Sequence, residues 1–370
     1  MLERERKVIL ILGMHRSGTS ALARTVNLLG AAAPKELLAP NEFNSSGYWE
    51  GARLCQCHSD LLASVNSSWH DWRRLDPNRM EEEAKQQGHR QRIKDGIMQT
   101  FGDASLFVLK DPRICRFVPL ILSILDELKV RAVAILPIRN PLEVGSSLGD
   151  RDNLARSKSL LLWLRHVLEA EYYSRAIPRY FLNYEDLLLD WQTCLGRAAS
   201  RTGLTWPRWS SESESAISQF LTAELRHHRA SAEQLKADPE VGSWIKETYT
   251  IVSNLAESGE DDPDLDRLDI VRNKFDEACA VMGPALQGEE ALAVQTRVQV
   301  ASLQGALEAC TTEKDAVLEA LKARTTEKEA VLREFQILTG SFSWRAGKPL
   351  RTLGARFSRA ATFLKRSLKA

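Results

Sequence analysis

The residues best equipped for chemistry stand near the N-terminus, in Lys7-Val8-Ile9-Leu10-Ile11-Leu12-Gly13-Met14-His15-Arg16-Ser17-Gly18-Thr19-Ser20. An apolar run enters a turn bracketed by Gly13 and Gly18, and the turn opens a helical pattern. Such a layout is a phosphate cradle, because loop N–H groups and a helix N-terminus point at one anion. The glycine spacing is that of a Walker A loop, but Thr19 occupies the place of the nucleotide-binding lysine. The cation stands inside the loop instead, at Arg16. This chemistry suits a phosphate-like group other than the β/γ end of ATP.

A second anion site is expected in Arg139-Asn140-Pro141-Leu142-Glu143-Val144-Gly145-Ser146-Ser147. Arg139 leaves a strand, Pro141 suits a first helical turn, and Ser147 lies two turns on. Arginine by charge and serine by hydroxyl can pinch one phosphate, so the ligand would carry phosphate at two ends. Between the two sites, Lys110-Asp111-Pro112-Arg113 follows another strand. In an open parallel sheet, that places Lys110 at the same ligand-binding edge. The plain alternative is a Lys110–Asp111 salt bridge at a strand end. A transferred group also needs a base for the attacking hydroxyl's proton. Glu50, then Glu36, then Glu42 are the candidates, with His58 nearby. Gly47-Tyr48-Trp49-Glu50 would set Glu50 in the opening turn of a helix, where a carboxylate is favoured in any case. Cys55-x-Cys57-His58 puts three donors too close along a helix to face one ion, so no metal is expected. His227-His228 within Arg226–Arg229 reads as a solvated basic face.

Gly13–Ser20, Lys110–Pro112, Arg139–Ser147 and Tyr184-Glu185-Asp186-Leu187 stand in the order found in sulfotransferases that use 3′-phosphoadenosine 5′-phosphosulfate (PAPS). Over roughly residues 7 to 205 the chain resembles that family. The first-loop arginine and the Lys-Asp-Pro are most similar to tyrosylprotein sulfotransferases and related bacterial enzymes. The resemblance implies that Arg16, Ser17, Gly18, Thr19 and Ser20 hold the 5′-phosphosulfate, and that Arg139 and Ser147 hold the 3′-phosphate. It implies that Lys110 assists the leaving group and that Tyr184 lies near the nucleotide. Glu36 is closest to the spacing of the tyrosylprotein enzymes' base, though the surrounding pattern differs. The implied function is sulfuryl transfer from PAPS to a hydroxyl, with Glu50, Lys110, Arg16 and Glu36 as the catalytic set. Two alternatives are a P-loop NTPase or kinase and a non-catalytic coiled-coil scaffold.

These groups need an α/β frame. Apolar, β-branched or aromatic strands are expected at Val8–Leu12, Leu106–Leu109, Ala132–Pro137 and Arg179–Leu182. Helices are expected over Gly18–Leu29, Glu50–Val65, Glu81–Thr100, Arg116–Leu128, Leu142–Leu148, Ser157–Ala176 and Tyr184–Thr202. The alternation predicts a P-loop-type parallel sheet flanked by helices, over residues 1–205. A helical extension is expected over 206–294, broken at Trp206-Pro207-Arg208-Trp209 and at the acidic Glu257–Asp266. A coiled coil is expected over 295–338. Val300, Leu303, Leu307, Cys310, Val317, Leu321, Val331, Phe335 and Leu338 share one a/d frame, interrupted by Lys314, Arg324 and Lys328. Ala309–Lys322 and Ala323–Gln336 repeat Thr-Thr-Glu-Lys and Ala-Val-Leu at matching places. The bland alternative is one amphipathic helix lying back on the α/β part.

Residues 339–370 form a basic tail: Trp344 to Ala370 carry eight Lys/Arg and no acid. Phe357, Ala361, Leu364 and Leu368 recur there at helical spacing, which suits an anionic membrane surface as well as a plain solvated end. The whole chain has 370 residues and a net charge of +1, so overall charge names no partner and no nucleic acid is expected. No run reaches the roughly 18 apolar residues of a membrane span. The first apolar run ends at Gly13, too short for a signal peptide. Six cysteines without framework spacing suit a reducing cytoplasm, so a cytoplasmic protein is expected, membrane-peripheral only if the basic tail meets lipid. By analogy with appendages of surface-polysaccharide enzymes, the coiled coil and tail suggest a saccharide or carbohydrate-linked acceptor and a homo-oligomer.

Overall fold

The computed structural model describes residues 5–41, 44, 47–222, 225, 226, 228–341, 345–347, 350–356, 358 and 359, with 287 and 290 as backbone only. Glu42, His227, Phe342, Trp344, Phe357, Ala361, Leu364 and Leu368 lie outside the described residues. The chain forms two compact units, residues 1–284 and 285–370.

In the first unit, β1 (Arg6–Ile11), β2 (Leu106–Lys110), β3 (Val130–Ile138) and β4 (Arg179–Asn183) form one parallel sheet in the order β2-β1-β3-β4. All four expected strands are present. Both faces are covered, which is why these segments are almost continuously apolar. On one face Val8, Leu10, Phe107, Leu109, Ala134, Leu136 and Phe181 enter a large core. On the other, Ile9, Ile11, Val108, Val133, Ile135 and Leu182 form a second core.

The helices are α1 (Thr19–Leu28), α2 (Ala52–Ser64), α3 (Pro77–Gln86), α4 (His89–Phe101), α5 (Val118–Glu127), α6 (Pro141–Asp152), α7 (Arg156–Ser174), α8 (Tyr184–Leu189), α9 (Trp191–Thr202), α10 (Ser211–Phe220), α11 (Ala232–Ala237), α12 (Ser243–Ser258) and α13 (Asp262–Gly340). A short 3₁₀ turn covers Pro112–Arg116. Two expected helices are each divided. Gly88, at φ 70°, separates α3 from α4, since a left-handed glycine stops one helix and starts the next. Asp190 leaves helical geometry and accepts from the Thr193 N–H at 3.0 Å, capping α9 and ending α8.

Residues 206–284 belong to the first unit. Val241, Ile245, Ile251, Val252, Leu255, Leu268, Val271 and Phe275 join the first core. Ion pairs reinforce them: Arg165–Asp276 at 2.6 Å, Arg175–Asp269 at 2.8 Å and Arg179–Glu260 at 2.6 Å. The second unit contains the rest of α13, and residues 345–346 and 350–356 are also helical. Among the described residues, no helix is long and apolar enough to cross a membrane.

Candidate phosphate-binding active site

Parallel strands release their C-terminal loops at one edge of a sheet. The observed order therefore sets Lys110, the Gly13–Gly18 loop, Arg139 and Tyr184 side by side at the ends of β2, β1, β3 and β4. The three cations expected to converge do lie along this edge.

The loop has the backbone an anion requires. Arg16 and Gly18 are both left-handed, at φ 69° and 83°, and the Ser17 N–H turns back onto the Met14 carbonyl at 3.2 Å. This bend delivers the chain to α1, whose first-turn N–H groups lack intrahelical acceptors. Gly18 supplies no side-chain cap. Ser17 is 1% exposed, and its hydroxyl has no hydrogen-bond partner among the described residues. A buried orphan hydroxyl is costly, so its place beside an uncapped helix start points to a ligand oxygen. His15 is also buried, with Nε2 unpartnered among the described residues and its ring 4.4 Å from Trp69. Burial, helped by Arg151, Arg113 and Lys110, holds His15 well below the usual histidine range, so it is neutral at pH 7.

Two residues close over the loop. A Cβ on Gly18 would fall 2.1 Å from Tyr184 Cδ2, so the tyrosine ring occupies the space glycine leaves. Arg139 sits above that ring at 5.0 Å and donates from Nη1 to the Arg16 carbonyl at 2.8 Å. Arg16 Nε donates to Ser147 Oγ at 2.7 Å. The two anion sites, separate in the sequence, thus share a hydrogen bond in space.

Glu143 was not anticipated as part of the site. It is buried, accepts from Arg139 Nε at 2.8 Å, from Arg226 Nε at 3.1 Å and from the Ala230 N–H at 3.0 Å. Burial would raise its pKa, but these donors outweigh that and hold it below the ordinary carboxylate value. The Arg139–Glu143 spacing of four residues was the available signal. Arg226 also pairs with Glu185 at 2.7 Å, while His228 reaches Asp150 at 3.1 Å and lends its carbonyl to Arg139. Arg226 and His228 therefore do not form a solvated basic face; they strap the segment to α6. A polar cavity of about 260 Å³ opens beside Tyr184 and Arg139, with Asn183, Arg226 and Tyr249 in its wall.

At the other end, Lys110 is 3% exposed and pairs with Glu50, donating also to the Tyr48 carbonyl at 3.1 Å and to Ser20 Oγ at 3.2 Å. Its partner is not Asp111. Asp111 instead accepts from Arg113 at 2.9 Å and meets His58 Nδ1 at 2.8 Å. Burial alone would raise the Asp111 pKa, but Arg113 and His58 drive it far down. Glu50 is not in a helical opening turn, because α2 begins at Ala52 behind the cap Gly51. The left-handed Trp49 turns the chain so that Glu50 goes inward, where Oε2 accepts from the Cys55 thiol at 3.2 Å and lies 3.6 Å from Arg113. Burial, with Asp111 and Glu50 adjacent, drives the Cys55 thiol pKa far up. Donor atoms of Glu50, Cys55 and Asp111 lie within 4.8 Å of one another. Lys110 and Arg113 already neutralise the carboxylates and the thiol stays protonated, so the cluster is poorly suited to a cation. Glu36 is exposed, and its backbone carbonyl accepts from the Ala52 N–H at 3.0 Å.

No family model matches the chain, and no curated protein matches it. Among solved structures it is similar to a sulfotransferase domain from the Synechococcus PCC 7002 olefin synthase, at 16% identity and a TM-score of 0.39 over 69% of this chain and 96% of that one. It is also similar to a sulfotransferase domain from the curacin biosynthetic pathway, at 15% identity and a TM-score of 0.36 over 69% of this chain and 98% of that one. Likeness this weak adds nothing to what the loop geometry itself supports.

Proposed function

We propose that this protein transfers a sulfuryl group from PAPS to a hydroxyl acceptor. The observation that carries the reading is the buried, unpartnered Ser17 hydroxyl in a left-handed loop at an uncapped helix start, with Arg16, Arg139 and Lys110 along the same edge. A phosphate-type anion fits that cradle, and Thr19 in the lysine position argues against a nucleoside triphosphate.

In this reading Arg16, Ser17, Gly18, Thr19 and Ser20 hold the 5′-phosphosulfate, while Arg139 and Ser147 hold the 3′-phosphate with Tyr184 beside the nucleotide. Three of the five N–H groups of Arg139 are engaged by Glu143, Arg16 and His228, which leaves two for a ligand. The acceptor oxygen attacks sulfur, the bond from sulfur to the bridging phosphate oxygen breaks, and Lys110 neutralises charge gathering on that oxygen. Glu50 is held in a buried ion pair with Lys110 and lies 3.6 Å from Arg113, so its part is to position Lys110 rather than to take the proton. The acceptor's proton then goes to Glu36, whose segment is tied to that of Glu50 by the Leu38 N–H to Glu50 carbonyl bond at 2.8 Å. A saccharide or carbohydrate-linked acceptor rests on the C-terminal appendages alone, as does a membrane-peripheral location, and kinship with the tyrosylprotein branch rests on Arg16 and Lys110–Pro112.

Isothermal titration with 3′,5′-ADP, the desulfated product, tests this directly. Binding without Mg²⁺ is expected, falling at least tenfold in Arg16→Ala, since a charge-assisted contact is worth about 1.5–3 kcal/mol. Absence of binding, or Mg²⁺-dependent preference for ATP, would overturn it. With labelled PAPS and an acceptor in hand, Glu36→Gln should lower the rate by about 10²-fold or more, as loss of a general base does.

A further inference from the structure

The second unit carries an apolar stripe that the reaction does not use. Val300, Leu303, Leu307, Val317, Leu321, Val331, Phe335 and Leu338 are each 47–68% exposed along α13. Their alternating spacing of three and four makes 300, 307, 314, 321, 328 and 335 position a, and 303, 310, 317, 324, 331 and 338 position d. A strict 3.5-residue period is the pattern of a narrow helix–helix seam.

We infer that a second copy of this chain covers the stripe, as a parallel, in-register two-stranded coiled coil. The argument is charge complementarity. Lys314 and Lys328 hold a positions, and the residue before each, at position g, is Glu313 and Glu327. In a parallel pair each a side chain packs beside the g residue that precedes the partner's a position. Lys314 then meets Glu313 of the second copy and Lys328 meets Glu327, with both contacts made twice by symmetry. An antiparallel pair sets g against g, and the g positions Gln299, Ala306, Glu313, Ala320, Glu327 and Glu334 offer no base. Lysine at a specifies register at some expense in stability, and its long stem lets the ammonium reach the seam's margin.

The 14-residue repeat would tolerate a slip of two heptads, which again sets lysine beside glutamate. Cys310 distinguishes the two arrangements. It lies at d and is exposed, whereas the other five cysteines are buried. In register it meets Cys310 of the second copy; slipped by 14 residues it meets Arg324.

The test uses the full chain. Light scattering should give a dimer, and copper-phenanthroline with oxygen, which takes two electrons and two protons from a thiol pair, should give a covalent dimer that Cys310→Ser abolishes. Lys314→Glu with Lys328→Glu should weaken the dimer at least tenfold, and adding Glu313→Lys with Glu327→Lys should restore it. A monomer, a trimer, a dimer that does not cross-link through Cys310, or a charge exchange that fails to restore association would each overturn the proposal.

Discussion

Replacing Gly18 by alanine tests the loop and its cover together. Gly18 is left-handed at φ 83°, and a Cβ there would lie 2.1, 2.5 and 2.8 Å from three atoms of the Tyr184 ring. The backbone penalty for an L-residue in that conformation is about 1–2 kcal/mol. Forcing the buried ring aside adds an overpacking cost of about 1–3 kcal/mol. Gly18→Ala should therefore destabilise the protein by about 2–5 kcal/mol, read as a shifted midpoint in urea unfolding monitored by tryptophan fluorescence. Tyr184→Ala should itself cost about 3–5 kcal/mol, as for other buried aromatics. With the ring gone, Gly18→Ala should cost only the backbone share of about 1–2 kcal/mol, a coupling of about 1–3 kcal/mol between the two sites. Equal costs for Gly18→Ala in both backgrounds would refute the packing argument. The same displacement should lower 3′,5′-ADP affinity, because Arg139 rests on the tyrosine ring and holds the Arg16 carbonyl.

Lys110→Met should destabilise by about 3–5 kcal/mol, since it takes the nearest counter-charge from the buried Glu50 carboxylate, and Lys110→Met with Glu50→Gln should recover much of that in the same unfolding assay. Acidification provides a further check. Burial, with Arg116 next in effect, lowers the His166 pKa to about 3, against about 6.5 when unfolded. The unfolded chain then binds the extra proton, so this contribution is complete above pH 6.5 and is lost as pH falls toward 3. Between pH 6.5 and 5 the loss is about 2 kcal/mol. The neutral His15 acts in the same direction, and Glu143 and Asp111, held low by their arginine partners, add losses as pH falls below the ordinary carboxylate range. Unfolding midpoints from pH 7 to 5 should fall in the wild type and fall less in His166→Leu; identical slopes would exclude His166.

Local pattern determined a good deal. Four short apolar segments each become a strand, because a strand covered on both faces must be apolar throughout and strand-ending loops must carry the polar groups. Parallel pairing then sends those loops to one edge, so the convergence of Arg16, Lys110 and Arg139 is legible in the sequence. Residue spacing could not reveal which groups neutralise one another. Glu50 and Lys110 are 60 residues apart, Arg16 and Ser147 are 131 apart, and Arg226 and Glu143 are 83 apart. Charges buried at such separations are paired by the packing of elements around them, and no periodicity records it. The stretch 206–284 shows the same division: its helices can be read singly, but Val252, Leu268 and Phe275 complete a core whose other half lies in the sheet. Secondary structure follows from neighbours along the chain, whereas the partner of a buried charge or apolar face is chosen only when distant segments meet.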